Sequence, residues 1–197
     1  MTDTTNGSQC VRCESDLKKC KNRVDHEVCN RSVVAPTATD KSASLFCDCC
    51  RYDDSITDLS VEGNLESWRL LEQAKRRLMY GLDSLGLPHG TIADGFVSGL
   101  SFDFKGDSIA PQSLWRTVGT QERVFTGHAG GKITINIREA DTVEREKLRI
   151  DLGEGHRTLI GHFRHEIGHY YRDVLVDGHA TYKTEFVRLF GDYENPT

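Results

Sequence analysis

Every cysteine of this chain lies within its first fifty residues, and this clustering constrains the fold more than any other feature of the sequence. The seven are Cys10, Cys13, Cys20, Cys29, Cys47, Cys49 and Cys50. The segment 1–63 is otherwise short of large apolar side chains and rich in Asp, Ser and Thr. Such a segment cannot bury much of a core by itself, so bound zinc would have to supply its folding energy.

The N-terminal residues, the lack of long apolar runs and the net charge indicate which kinds of partner the protein binds. The first nine residues, MTDTTNGSQ, are polar, and no run approaches the roughly 18 apolar residues of a membrane span. We therefore expect a cytoplasmic protein with no membrane partner, in which clustered thiols are metal ligands more often than disulfides or unpaired thiols. The net charge is −5, and residues 1–63 carry 8 basic and 11 acidic side chains, which argues against a nucleic-acid partner.

The remainder of the chain, 64–197, is predicted to be a second domain, with SVEGN (60–64) as the boundary. Apolar residues recur at helical spacing after Asn64, which is expected to cap a helix that Gly86 and Pro88 end. Within it, AKRR (74–77) is interpreted as the solvated face.

Alternating apolar residues predict three strands, at GLSFDF (99–104), ERVFT (122–126) and KITINI (132–137). The glycine-rich GHAGG is expected to form the turn between the last two. A short exposed helix over 138–149 and an amphipathic helix over 156–176 follow. The sequence thus predicts an α+β fold, with a small antiparallel or mixed sheet and a helix that carries the most informative motif.

That motif is His165-Glu166-Ile167-Gly168-His169, an H-E-x-x-H pattern. Residues four apart share one helical face, so His165 and His169 can direct two imidazoles at one Zn²⁺. Glu166 lies about 100° around the helix, where it can act as a general base toward water. The apolar stripe of this helix is centred on the order of 140° from the two histidines, so they can face a cleft. His162 lies on the same side, but a plain surface or core histidine is the simpler interpretation.

Several stretches of the chain, taken in order, match the sequence of one protein family. They are CN (29–30), CDCCR (47–51), ITDLS (56–60), the segment 64–88, GLSFDF (99–104), TGHAGGKITINIREAD (126–141), RTLIGHFRHEIGHYYRDVLV (157–176) and FVRLFGDY (186–193). The chain resembles a bacterial family of zinc-binding metallopeptidases that joins zinc-ribbon-like cysteines to a zincin-like domain. The resemblance implies that His165 and His169 bind a catalytic zinc and that Glu166 is the catalytic base.

The resemblance also bears on which cysteines bind a structural zinc. Spacing alone favours two C-x-x-C pairs, Cys10 with Cys13 and Cys47 with Cys50. The resemblance instead implies the set Cys20, Cys29, Cys47 and Cys50. In that case Cys10 and Cys13 remain for a second, partial site that His26 could join, and Cys49 is a bystander.

The third ligand of the catalytic zinc is the open question, since such a site normally has three protein ligands. The resemblance implies that the family's third ligand lies in a C-terminal helical segment that would follow Thr197. Within the chain, the candidates are Glu185 and Asp192. Asp173 is predicted to lie too far along the helix, and His179 to be an exposed loop residue.

The sequence therefore predicts a zinc metallohydrolase that acts on a peptide or protein substrate. The KITINI strand is expected to bind an extended peptide by β-augmentation. The alternatives are a catalytically inactive zinc protein, and an adaptor that uses its cysteine module to bind a partner.

Overall fold

The structure, a computed structural model, describes residues 16–34, 45–106, 126–151 and 158–191. Cys10, Cys13 and Asp192 lie outside the described residues, as do residues 122–125 of the predicted second strand.

The described residues form small sheets and helices, in agreement with the predicted α+β class. The strands are β1 (Leu17–Lys19), β2 (Ser32–Val34), β3 (Asp53–Ser55), β4 (Ser101–Lys105), β5 (Gly127–Ala129) and β6 (Lys132–Asn136). The helices are α1 (Lys21–His26), α2 (Asn64–Leu85), α3 (Thr142–Asp151), α4 (Leu159–Arg172) and α5 (Ala180–Phe190). A π-helical turn, Asp173–Asp177, continues α4. No described helix has both the length and the apolar character that a membrane crossing requires.

The main sheet is mixed, with the strand order β3-β4-β6-β5. β4 runs parallel to both β3 and β6, whereas β5 is antiparallel to β6. Alternate residues of β4 and β6 are fully buried, as strand periodicity predicts: Phe102, Phe104, Ile133 and Ile135. A smaller antiparallel pair, β1 and β2, flanks α1 near the N-terminus.

The hairpin between β5 and β6 differs from the sequence prediction. Ala129 pairs with Lys132, so the loop is only Gly130 and Gly131, whose φ angles are 56° and 90°. Two-residue hairpin loops of this kind need positive φ at both positions, which glycine adopts without steric cost. The preceding Gly-His-Ala is therefore a strand, and the prediction that all of GHAGG is a turn was wrong.

The C-terminal end of α2 agrees with the prediction, and the N-terminal end does not. Gly86 ends the helix in the left-handed conformation, with φ 64°, as predicted. Asn64 is the first helical residue rather than the cap, because Gly63 precedes it with φ 85°. The Asn64 side chain instead donates hydrogen bonds to Asp58 O at 2.8 Å and to Thr57 Oγ1 at 3.2 Å, so it fixes the preceding loop.

One continuous core joins the cysteine-rich segment to the rest of the described chain. β3, which precedes the predicted boundary at residue 63, pairs with β4 in the main sheet. The core-facing side of α2 includes Trp68, Leu71, Leu78 and Leu82, and also Lys75, which is fully buried. The interpretation of AKRR as a solvated face was therefore wrong for Lys75. The division of the chain at residue 63 stays a prediction.

Candidate metal centres

Four cysteine side chains converge in the N-terminal part of the described chain. The sulfurs of Cys20, Cys29, Cys47 and Cys50 all lie within 4.8 Å of one another, and each of these residues is at most 5% exposed. The Sγ atoms of Cys29 and Cys47 are 3.7 Å apart. In tetrahedral coordination with Zn–S of about 2.3 Å, two sulfurs would be about 3.8 Å apart. The quartet therefore fits a zinc ion.

Backbone amides around the quartet point at the sulfurs. Arg31 N donates to Cys29 Sγ at 3.3 Å, Cys47 N to Cys20 Sγ at 3.4 Å, and Cys50 N to Cys47 Sγ at 3.4 Å. Such N–H···S hydrogen bonds favour the thiolate, which is the form that binds metal. The chain thus supplies ligands and orients them through its backbone.

The thiols also influence one another. The hydrogen bond between Cys29 and Cys47 lowers the pKa of Cys47 and raises the pKa of Cys29 to about 11. The same contact therefore favours the thiolate at one sulfur at the expense of the other. A divalent cation removes that competition, because it stabilises every coordinating thiolate at once.

The remaining N-terminal candidates lie elsewhere. Cys49 is buried outside the quartet, and burial raises its pKa to about 12. The His26 ring packs edge-on against Trp68, with the ring centroids 5.4 Å apart. In the described residues, the thiols assembled with Cys47 and Cys50 are thus those that the resemblance implies. Binding of zinc by this set stays a prediction.

A buried ionic cluster lies directly behind the quartet. Lys75 Nζ lies 2.5 Å from Glu72 Oε1 and also pairs with Asp53, and Cys50 Sγ lies 3.7 Å from Glu72 Oε2. Burial raises the pKa of Asp53 to about 8, although the charge of Lys75 opposes this shift. The helical spacing of Glu72 and Lys75, on the same face as Leu71 and Leu78, was the signal in the sequence that could have revealed this cluster.

The second candidate centre lies on α4. Thr158 caps this helix, since its side chain accepts a hydrogen bond from Gly161 N at 3.1 Å. Phe163 is fully buried, with its ring centroid 6.0 Å from that of Phe102. Burial of this apolar face leaves the opposite face, with His165 and His169, directed toward a cavity of about 360 Å³.

The geometry of the histidine pair fits one metal ion. His165 Nε2 and His169 Nε2 are 3.2 Å apart, while two nitrogens on tetrahedral Zn²⁺ would be about 3.3–3.4 Å apart. Glu166 lines the same cavity and is only 5% exposed. The arrangement therefore places two imidazole nitrogens that can bind a metal beside a carboxyl group with little exposure to solvent.

A third ligand for this pair is not evident in the part of the chain that the structure describes. No other His, Cys, Asp or Glu there brings a ligand atom within 4.8 Å of both histidine nitrogens. Asp173 lines the cavity, but its Oδ1 accepts a hydrogen bond from Arg172 Nη2 at 2.7 Å. Glu185 lies on α5 and accepts a hydrogen bond from Arg188 Nε at 2.8 Å. Its role as third ligand, like that of Asp192, stays a prediction.

Two other histidines near the motif have different surroundings. His162 Nδ1 lies 3.3 Å from the Oε2 atom of Glu139, which is buried. This contact agrees with the simpler interpretation of His162 as a structural residue. The His179 ring lies against Tyr182, with the centroids 5.3 Å apart, in the turn before α5.

His128, which none of the sequence predictions of site residues included, lines the cavity from β5. Its side chain is 4% exposed, its Nε2 accepts a hydrogen bond from Gly131 N at 3.0 Å, and its Nδ1 lies 3.7 Å from Asp173 Oδ2. Burial lowers the pKa of His128, and the carboxylate of Asp173 offsets this effect only in part. A histidine inside a glycine-rich hairpin was the available signal, and it was interpreted as part of the turn.

The strand that borders the cavity also differs from the prediction. β6, which contains KITINI up to Asn136, is paired on both sides, by β4 and by β5. It therefore has no edge for a peptide, and the prediction of β-augmentation on this strand was wrong. In the described part of the sheet, the edge strand next to the cavity is β5.

Comparison with known proteins also points to zinc binding. The family described as "Putative zinc-binding metallo-peptidase" matches residues 64–196. Two curated relatives are "Uncharacterized protein Mb2598c" of Mycobacterium bovis and "Uncharacterized protein Rv2568c" of Mycobacterium tuberculosis. Each is 35% identical over 179 residues, which are 91% of this chain and 47% of the relative. The chain therefore spans about half the length of these relatives. No solved structure gives a significant match.

Proposed function

The chain belongs to the zinc-binding metallo-peptidase family that matches residues 64–196, and from this membership we propose that it is a zinc-dependent peptidase. The observation that carries the proposal is the 3.2 Å separation of His165 Nε2 and His169 Nε2 in a cavity that Glu166 also lines. Bound there, zinc would supply a Lewis acid and would lower the pKa of water.

Glu166 has the position of a general base in this proposal. Its carboxylate accepts a proton from the attacking water as the oxygen forms a bond to the scissile carbonyl carbon. The same proton then passes to the amide nitrogen as the C–N bond breaks, so Glu166 ends the cycle ionised. Its place in the wall of the cavity supports this role, because Glu166 lines the same cavity as His165 and His169.

The edge strand β5 has the position of a substrate guide. Residues 127–129 line the cavity, and β5 is at the edge of the described sheet. An extended peptide that pairs with β5 would place its backbone alongside α4 and the histidine pair. This combination of an edge strand with an active-site helix supports a zincin-like fold for residues 64–197.

The cysteine quartet has a separate, structural role in the proposal. Four buried thiolates would close the coordination shell of Zn²⁺ and leave no position for water or substrate. A second zinc at Cys20, Cys29, Cys47 and Cys50 would therefore stabilise the fold without taking part in hydrolysis.

A second candidate function is a zinc-binding protein without peptidase activity, including an adaptor that binds partners through its cysteine module. One observation favours it: within the described residues, the histidine pair has no third ligand. A two-coordinate protein site would hold zinc weakly and would leave the ion poorly oriented for catalysis.

Zinc content and peptide cleavage test the proposal together. We expect the wild-type chain to hold two zinc ions and to cleave a peptide library. Glu166→Gln should keep both ions and lose on the order of 10²–10⁴ in kcat. The double variant His165→Ala/His169→Ala should lose one ion and all activity.

The matched control is Glu146→Gln, because Glu146 is exposed on α3 and pairs with Arg149. It should retain wild-type turnover. Peptide cleavage that survives Glu166→Gln would sink the proposed mechanism. Two bound zinc ions without any cleavage would favour the inactive zinc protein instead.

A further inference from the structure

We propose that His128 is a catalytic residue whose Nδ1–H donates a hydrogen bond to the scissile carbonyl oxygen. In this role it would stabilise the negative charge that the oxygen acquires when water attacks. The inference rests on the proposed peptidase function. It adds a hydrogen-bond donor that lies outside the H-E-x-x-H motif.

The tautomer of His128 follows from its contact with the hairpin turn. Gly131 N donates a hydrogen bond to His128 Nε2 at 3.0 Å, so Nε2 is the acceptor and carries no proton. In a neutral imidazole, the other nitrogen must then carry the proton. The ring therefore presents Nδ1–H, a donor, on its other side.

The donor that fixes this tautomer is itself held in place. Gly131 has φ 90°, and a Cβ there would lie 2.5 Å from Gly99 O, so only glycine fits. The carbonyl oxygen of Gly131 also accepts a hydrogen bond from Ser101 N at 3.0 Å. These contacts fasten the turn to the neighbouring strand and fix the direction of the Gly131 N–H. The tight turn thus orients the histidine that precedes it.

The Nδ1–H of His128 has no acceptor within hydrogen-bond distance among the described residues. The side chain is 4% exposed and lines the same cavity as His165, Glu166 and His169. Asp173 Oδ2 is 3.7 Å away, beyond hydrogen-bond distance, and no other acceptor among the described residues takes this proton. Arg172 offsets the negative charge of Asp173, since its Nη2 lies 2.7 Å from Asp173 Oδ1.

The same protonation argues against His128 as the missing zinc ligand. A nitrogen that carries a proton has no lone pair for a metal, and Nε2 is engaged by Gly131. His128 also does not join His165 and His169 in any group of potential ligand atoms among the described residues. We therefore assign His128 to hydrogen-bond donation rather than to metal binding.

The chemistry needs no net proton transfer by His128. As water adds to the carbonyl carbon, the π electrons of the C=O bond move onto the oxygen, and the Nδ1–H···O hydrogen bond strengthens. When the C–N bond breaks, these electrons return to re-form the carbonyl group. Removal of one such donor typically costs on the order of 10²–10³ in kcat.

Two substitutions separate the donor from the hairpin contact. In His128→Asn, the amide nitrogen occupies roughly the position of Nδ1, so a donor remains in the cavity and the Gly131 contact is lost. In His128→Gln, the amide oxygen can still accept from Gly131 N, but the donor is lost. We expect His128→Gln to lose on the order of 10²-fold in kcat with little change in KM, and His128→Asn to lose less than about tenfold. The reverse order would overturn the proposal and would assign His128 a structural role in the hairpin.

Two readouts do not depend on turnover. Long-range ¹H–¹⁵N spectra of the zinc-loaded chain should show His128, assigned by its absence in His128→Asn, with the proton on Nδ1. A phosphinic peptide, whose tetrahedral anion resembles the attacked carbonyl, should bind His128→Gln about 10²-fold more weakly than wild type and His128→Asn only slightly more weakly. A proton on Nε2, or equal affinity for all three proteins, would overturn the inference.

These readouts also distinguish the two proposals from each other. A wild-type chain that binds the phosphinic peptide in a His128-dependent manner, yet cleaves nothing, would leave the role of His128 intact and defeat the peptidase function. A chain that cleaves peptides with full activity in His128→Gln would do the opposite.

Discussion

The cysteine quartet and the histidine pair are both candidate zinc centres, but they differ in the number of ligand atoms that the described residues bring together. The quartet has four sulfurs within 4.8 Å of one another, each on a residue that is at most 5% exposed. The pair has two nitrogens 3.2 Å apart at the wall of a cavity. Structural zinc sites are closed, whereas catalytic sites keep a position open. The contrast matches the proposed division between a structural zinc site and a catalytic one.

The side chains that pack behind the two centres also differ. Behind the quartet lie the buried ionisable side chains of Lys75, Glu72 and Asp53, which contact one another, so its surroundings are polar. Behind the histidine pair lies the apolar face of α4, including Phe163 and Tyr170. Loss of metal should therefore perturb folding at the first centre and chiefly reactivity at the second.

The largest effect should come from the quartet itself. Structural zinc contributes on the order of 10 kcal/mol to folding in small zinc modules, so Cys47→Ala should remove one zinc and unfold the N-terminal segment. Cys49→Ala is the matched control, because Cys49 is equally buried but lies outside the quartet. It should keep the zinc and lose roughly 1 kcal/mol. Metal analysis and circular dichroism would measure both, and equal behaviour of the two variants would refute the assignment of the quartet.

A smaller but still large effect should follow loss of the buried ammonium. Lys75→Met leaves Glu72 and Asp53 buried without their cation, which should lower the free energy of unfolding by about 3–5 kcal/mol. Arg77→Met, two residues further along on the exposed side of α2, should change it by less than about 0.5 kcal/mol. Urea unfolding of both variants checks this difference. Similar stabilities would mean that the carboxylates lose their charge at little cost.

The two centres should also release metal in order. A chelator such as EDTA should remove zinc from the histidine pair first, at least about tenfold faster than from the quartet, because the pair is open to solvent and has fewer ligands. A colourimetric zinc indicator follows the release, and a thiol-specific reagent identifies the part that comes from the quartet. A single release phase for both ions would contradict the contrast between the sites.

The smallest expected effect is that of substituting His162, and it should differ from the effect of substituting a histidine of the motif. His162→Ala should leave the zinc content unchanged and lower stability by about 1 kcal/mol, since it removes a partner of the buried Glu139. His165→Ala should lose one zinc with little loss of stability, because its side chain lies on the exposed face of α4. Metal analysis and thermal unfolding measure the zinc content and the stability of both variants. Zinc loss in His162→Ala would place that residue in the metal centre.

Local patterns in the sequence determined much of this protein. The H-E-x-x-H spacing places His165 and His169 on one face because an α-helix returns to the same side after about four residues. Glycine at 86 ends α2 because it adopts positive φ without steric cost. The apolar alternation of β4 and β6 likewise predicted their buried faces, since strand side chains alternate between two sides.

Only the tertiary structure decided which distant groups meet. It brought Cys20 and Cys29 to Cys47 and Cys50, buried Lys75 between Glu72 and Asp53, and turned His128 toward the cavity. It also paired KITIN on both sides, so that β5 rather than β6 forms the edge next to α4. Most of these contacts join chain segments far apart in sequence, and local spacing does not show which of those segments pack together. Helical and strand periodicity is a property of neighbouring residues, whereas a closed metal shell or a lined cavity is a property of the packed core.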